Sequence, residues 1–109
     1  MEELFALKIH PKDNVATVFA APAKGSRIRV DDSDGTSREI PAEDDIPYGH
    51  KIALTRIARG DAVLKYGEVI GRASQDIGPG QHVHVHNVVS LRGRGDLSAE
   101  TFGEVAHGI

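Results

Sequence analysis

The sequence contains no cysteine and no tryptophan. The missing thiols exclude disulfides, thiolate metal sites and a cysteine nucleophile, and they agree with a reducing compartment. Aromatic residues are few: Phe5, Phe19, Tyr48, Tyr66 and Phe102. A core must therefore be assembled from Val, Ile, Leu and Ala. No apolar run approaches the roughly 20 residues needed to cross a bilayer. The start, Met1-Glu2-Glu3, lacks the basic region that opens a signal peptide, so the cytoplasm is the expected location, with no membrane partner. The formal net charge of −3 supplies no basic field, and no nucleic-acid partner is expected.

The 109 residues suit one domain and can bury a core of their own. Twelve Gly and five Pro in so short a chain favour many tight turns between short strands over long helices. Residues 4–20 read as two strands around a turn at His10-Pro11-Lys12-Asp13-Asn14. Ile28, Val30 and Ile40 flank Asp34-Gly35, a strong hairpin signal inside a stretch holding seven acids. Strands are expected on both sides of Gly67, with Gly71 marking a close backbone approach. Ser98 to Ala106 could form one or two helical turns, weakened by Gly103. Arg92-Gly93-Arg94-Gly95-Asp96 has no core-forming pattern. The reading is a β domain over 1–89 and a flexible arm over 90–109.

A short motif recurs irregularly: an apolar residue or Pro, then Gly three positions on, then an apolar residue three further on. It occurs at Pro22/Gly25/Ile28, Ile46/Gly49/Ile52, Ile57/Gly60/Val63 and Ile77/Gly80/Val83. Each copy reads as a turn needing a left-handed glycine, leading into a strand, with the flanking apolar residues pinning the turn to the core. The expected fold class is mostly β, compact and barrel-like, with short strands and little helix.

The sharpest chemical signal is Gln81-His82-Val83-His84-Val85-His86-Asn87. Strand alternation sends the three His to one face and the two Val to the other. Imidazoles two apart on a strand can converge on a metal ion or an anion, and zinc or ferrous iron suits them. Three in a line rarely meet on one ion, so two of them plus an outside ligand is the expected arrangement, with His84 and His86 as the candidate pair. The competing readings are an exposed polar face and a substrate or partner contact. His10, Asp13 and Asn14 share a loop that reads as a local turn network. Lys51, Lys65 and Arg72 could form a cationic patch for a carboxylate. No nucleophile elbow, phosphate loop or paired-carboxylate arrangement is present.

These residues also carry a family resemblance. Ile9 to Val15, Asp45 to Lys51, Lys65-Tyr66-Gly67, Ile70-Gly71 and His82 to Asn87 resemble, in that order, the N-terminal SAF-type domain of the altronate and galactarate dehydratases. The resemblance implies a β-clip fold and a place in a hydro-lyase acting on sugar acids. It implies a divalent metal, iron or manganese, held mainly by a large catalytic region. That region is fused in some members and a separate chain in others, including the sulfolactate sulfo-lyases. A chain ending at Ile109 looks like the separate small subunit. It would bind substrate or cover the active site with a large dehydratase subunit as partner, and would be inactive alone, with a homo-oligomer as a further option. The residues matching the family pattern, and hence the expected substrate contacts, are His10, Asp13, His50, Lys51, Lys65, Tyr66, His84, His86 and Asn87. A stand-alone binder of carbohydrate acids, a sulfolactate sulfo-lyase small subunit and a small independent metalloenzyme are the alternatives.

Overall fold

Strand begins wherever a glycine turn ends. The structure, a computed structural model, describes residues 4–90. Its strands are β1 (Phe5–Leu7), β2 (Val15–Val18), β3 (Arg27–Asp31), β4 (Ser37–Pro41), β5 (Lys51–Ala53), β6 (Ala62–Lys65), β7 (Glu68–Ala73), β8 (His82–Val83) and β9 (Val88–Ser90), with no helix among the described residues. β3, β5, β6 and β8 each start two residues after the glycine of one recurring motif. In all four turns the residue after the glycine donates its N–H to the carbonyl three positions back: Ser26 to Ala23, His50 to Pro47, Asp61 to Ala58 and Gln81 to Gly78. The glycine sits third in the turn with φ between 83° and 95°, the type II geometry. Each glycine N–H then crosses to another segment, bonding Ala42, Val18, Ala73 and Ala53 respectively. Ile46, Ile57 and Ile77, before the turns, are 1% exposed, and Ile28, Ile52, Val63 and Val83, after them, are fully buried. The apolar pins act as the motif implies.

The strands form a six-stranded sheet in the order β4-β3-β1-β2-β5-β8 and a three-stranded sheet in the order β6-β7-β9. The pairings are antiparallel except β1 with β3. Alternation along β2 and β5 divides the core. Ala16, Val18 and Ile52 join one apolar cluster with Ile28 and Ile40. Val15, Ala53 and Val83 join another with Val63, Ile70 and Val88 of the smaller sheet. Gly71 brings β7 against β9 so closely that a Cβ there would lie 2.5 Å from the Val89 carbonyl oxygen, the close approach its sequence context suggests.

The Asp34-Gly35 hairpin forms as expected: Gly35 has φ 92°, and Asp34 accepts from both the N–H and the hydroxyl of Thr36. These two bonds hold the Asp34 carboxyl below its usual pKa. Ser90 pairs with Gly71 as the last residue of β9, one position beyond the expected domain limit. The rest of the expected arm, and the helical turns over 98–106, lie outside the described residues. No helix among the described residues is long and apolar enough to cross a membrane.

Candidate functional site

The chemistry-bearing side chains gather where β5 meets β8. The Gly49 turn delivers His50 and Lys51 to the start of β5, and β8 pairs alongside with His82 opposite Ile52. His50 Nδ1 and His82 Nε2 lie 2.8 Å apart, sharing a proton. His84 stacks on His50 with ring centroids 3.9 Å apart, and His82 and His84 are 5.6 Å apart. One ring nitrogen from each of His50, His82 and His84 falls within 4.8 Å of the others. Asp44 secures the edge by accepting from the His82 backbone N–H at 2.9 Å.

The alternating strand expected over residues 82–86 is corrected: β8 ends at Val83. Asn87 explains the early stop. Its Oδ1 accepts from the His84 N–H, its Nδ2 donates to the His82 carbonyl, and its own N–H donates to the His84 carbonyl. The chain folds into a turn at once, and Val85 comes out 50% exposed rather than core-facing. Curling, not alternation, is what gathers the rings. The structure separates the expected metal pair. His84 groups with His50 and His82, while His86 stands outside that group, exposed and tilted against His82 at 4.9 Å.

Burial, helped by the neighbouring rings of His86, His50 and His84 and opposed by Asp44, pushes the His82 pKa down to about 4. Burial first, then His50, Lys51 and His86, lowers that of His84. His82 is therefore a neutral imidazole at pH 7, able to accept a metal ion, and His84 is shifted in the same direction. Nδ1 of His84 is buried without a hydrogen-bond partner, a state that costs about 1–3 kcal/mol if nothing binds there.

Lys51 is 1% exposed. It lies opposite Thr17 and Val83, on the face of the large sheet that the small sheet covers. Burial, and then the charge of Lys65, brings its pKa down to about 8, so it is still mostly cationic at neutral pH. Lys65 comes from the end of β6, in the hairpin whose tip is Tyr66-Gly67. Both tip residues have positive φ, 59° and 76°, the type I′ pattern. Tyr66 is 60% exposed, with the Lys65 ammonium 4.9 Å from its ring centroid.

The remaining expected contacts divide. His10 packs its ring over Gly67, where a Cβ would lie 2.8 Å from it. Asp13 is buried, and its carboxylate accepts from the backbone N–H groups of His10, Tyr66 and Gly67. Asn14 bonds Ala62 and Leu64 of β6. The local turn network is real, but it reaches across to the hairpin. The Asp13 carboxylate and the Asn87 amide, both among the expected substrate contacts, are hydrogen-bonded to backbone and shape the loops around the site. Arg72, exposed, donates to the Gly60 carbonyl. His82, which the alternating segment already put on one face with His84 and His86, and Asp44, which nothing local marks, join the expected residues at this edge. A separate groove lined by Ile40, Pro41, Glu43, Gly78, Pro79 and Gln81 holds no His or Lys.

Residues 4–91 match the family described as the altronate/galactarate dehydratase SAF domain. Over 81 residues, 74% of this chain, the sequence is 48% identical to the altronate dehydratases of Bacillus subtilis (strain 168) and Escherichia coli (strain K12), but that stretch is only 15% of either relative. Over 60 residues, 55% of this chain, it is 45% identical to the (2R)-sulfolactate sulfo-lyase subunit alpha of Paracoccus pantotrophus, covering 90% of that protein. The chain thus spans a small part of the altronate dehydratases and nearly all of the sulfo-lyase subunit.

Proposed function

This chain belongs to the altronate/galactarate dehydratase SAF-domain family, and from that premise we propose that it is the small subunit of a sugar-acid hydro-lyase. It works with a larger catalytic chain and is inactive alone. The observation that carries the reading is the cationic and imidazole edge: half-buried His50, His82 and His84 gathered where β5 meets β8, with Lys51 buried behind them and Lys65 beside Lys51. Elimination of water β to a carboxylate needs three things: a hold on the carboxylate, a base for the α-proton, and stabilisation of the charge left behind.

Lys65, at the half-buried end of β6, supplies the hold, the buried charge of Lys51 adds to the positive field there, and Tyr66 at the hairpin tip lies against the sugar hydroxyls. His84, close to Lys51, lines this edge, and the base for the α-proton comes from the larger chain. His86 and His10 flank the edge, and the larger chain closes the site from outside. A divalent ion, iron or manganese, held mainly by the larger chain, would stabilise the negative charge that develops as the α-proton leaves. The orphaned Nδ1 of His84 fits such an ion. The family name favours loss of water. The similarity to a sulfo-lyase subunit over 90% of its length supports loss of sulfite as the second reading, decided by the larger chain.

The test is reconstitution with the larger chain, assayed on hexonates, hexarates and sulfolactate. Activity is expected only with both chains present, and Lys65→Gln is expected to raise KM at least tenfold. Full activity from the larger chain alone, or sugar-acid binding by this chain with no effect on turnover, would overturn the subunit reading and leave a stand-alone binder.

A further inference from the structure

We propose that His50, His82 and His84 bind one divalent transition-metal ion within this chain alone, before any larger chain is present. The lyase reading above bears only on what the ion does afterwards.

Three observations converge. The donor nitrogens of the three rings lie within 4.8 Å of one another, with His50 and His82 already 2.8 Å apart. Two nitrogens bound at about 2.1 Å to one ion near the tetrahedral angle are about 3.4 Å apart. Binding therefore replaces the proton shared by His50 and His82, parts those two nitrogens by roughly half an ångström and draws the wider pairs together by side-chain rotation. His84 Nδ1 is buried and has no partner. A buried ring nitrogen without a partner is unfavourable, and an ion bound at that nitrogen removes the cost.

The supports are also in place. Asn87 holds the backbone on both sides of Val83, and Asp44 holds the His82 N–H. The backbone that carries the His82 and His84 rings is therefore held in place.

The donor set chooses the ion. Three imidazoles with no thiolate select zinc, ferrous iron or cobalt over magnesium and calcium, which need oxygen. Three protein ligands leave a fourth position open, the arrangement of a site that accepts water, substrate or a partner's side chain. His86 stands outside the group, and His10 lies at the hairpin tip over Gly67.

The experiment uses the full chain, stripped with chelator and titrated with Co²⁺ and Zn²⁺. Visible d–d bands and a 1:1 end point are expected. His50→Ala and His84→Ala are expected to weaken binding at least tenfold, while His86→Ala and His10→Ala stay within threefold. Magnesium at about 10 mM is expected not to displace cobalt. A zinc titration followed by NMR serves if a variant misfolds: the ring signals of His50, His82 and His84 should shift together in the unaltered protein, with His10 unmoved. Absence of d–d bands at millimolar cobalt overturns the site. So do displacement by magnesium, or an equal loss in His86→Ala. Each result is read without turnover, so failure here is distinct from failure of the lyase reading.

Discussion

Asp13 shows how far one side chain can reach. Its carboxylate accepts from the N–H of His10, three residues away, and from those of Tyr66 and Gly67, 53 and 54 residues away. The first bond is legible in the sequence, because an aspartate two positions after a proline favours a local turn. The other two are not, since nothing near Asp13 announces a partner on a distant hairpin. Asn87 likewise has a role that its neighbours in sequence do not show: its amide turns the backbone after Val83. Tyr66 depends on Asp13 most, because a tyrosine at φ 59° is strained unless its N–H is held. Removing the carboxylate strands N–H groups at a half-buried tip. Asp13→Ala should cost about 3 kcal/mol of unfolding free energy by urea titration, and Asp13→Asn, which keeps one acceptor oxygen, about half as much. A loss under about 0.5 kcal/mol for the alanine variant would mean that the tip is held by other contacts.

The turn-and-strand unit was the most legible element. Glycine at a fixed place between apolar pins was enough to locate β3, β5, β6 and β8, because type II geometry demands a left-handed third residue whatever surrounds it. What the motif leaves out is the neighbourhood of each glycine. Gly49 and Gly80 have nearly the same φ, 83° and 84°, yet a Cβ at Gly49 meets nothing within 4 Å, whereas one at Gly80 would lie 2.2 Å from the Pro41 carbonyl oxygen. Gly49→Ala should therefore cost about 1 kcal/mol, the conformational penalty alone. Gly80→Ala should cost about 3 kcal/mol or more, because Pro41 and its strand must also move. Equal losses in thermal unfolding would show that the backbone around Pro41 yields freely. Periodicity misled at the histidine segment for a related reason: alternation describes a strand only while its ladder continues, and Asn87 ends the ladder after Val83.

At the scale of the whole molecule, the two sheets are tied together by residues distant in sequence. Asn14 bonds both Ala62 and Leu64, and Lys51 lies between the large sheet and the small one. The sequence carried the strands and the apolar pins of the turns but not this closure, which depends on pairings between segments about 50 residues apart. The histidine group is closed in the same way: His82 and His84 are neighbours, but His50 reaches them only when β5 pairs with β8. An ion bound to all three rings therefore recognises the folded chain. Mass action then stabilises it by about 2.7 kcal/mol at a hundredfold excess of free ion over Kd. The unfolded chain keeps His82, His84 and His86 close in sequence and will hold zinc weakly, so the net gain should be smaller, about 1–2 kcal/mol, seen as a rise in Tm on adding zinc. His50→Ala leaves that local triplet intact and removes only the contribution that folding creates. Its Tm should then stay level or fall with zinc, because the unfolded state has become the equal or better ligand. A rise equal to that of the unaltered chain would place the ion on the 82–86 segment alone.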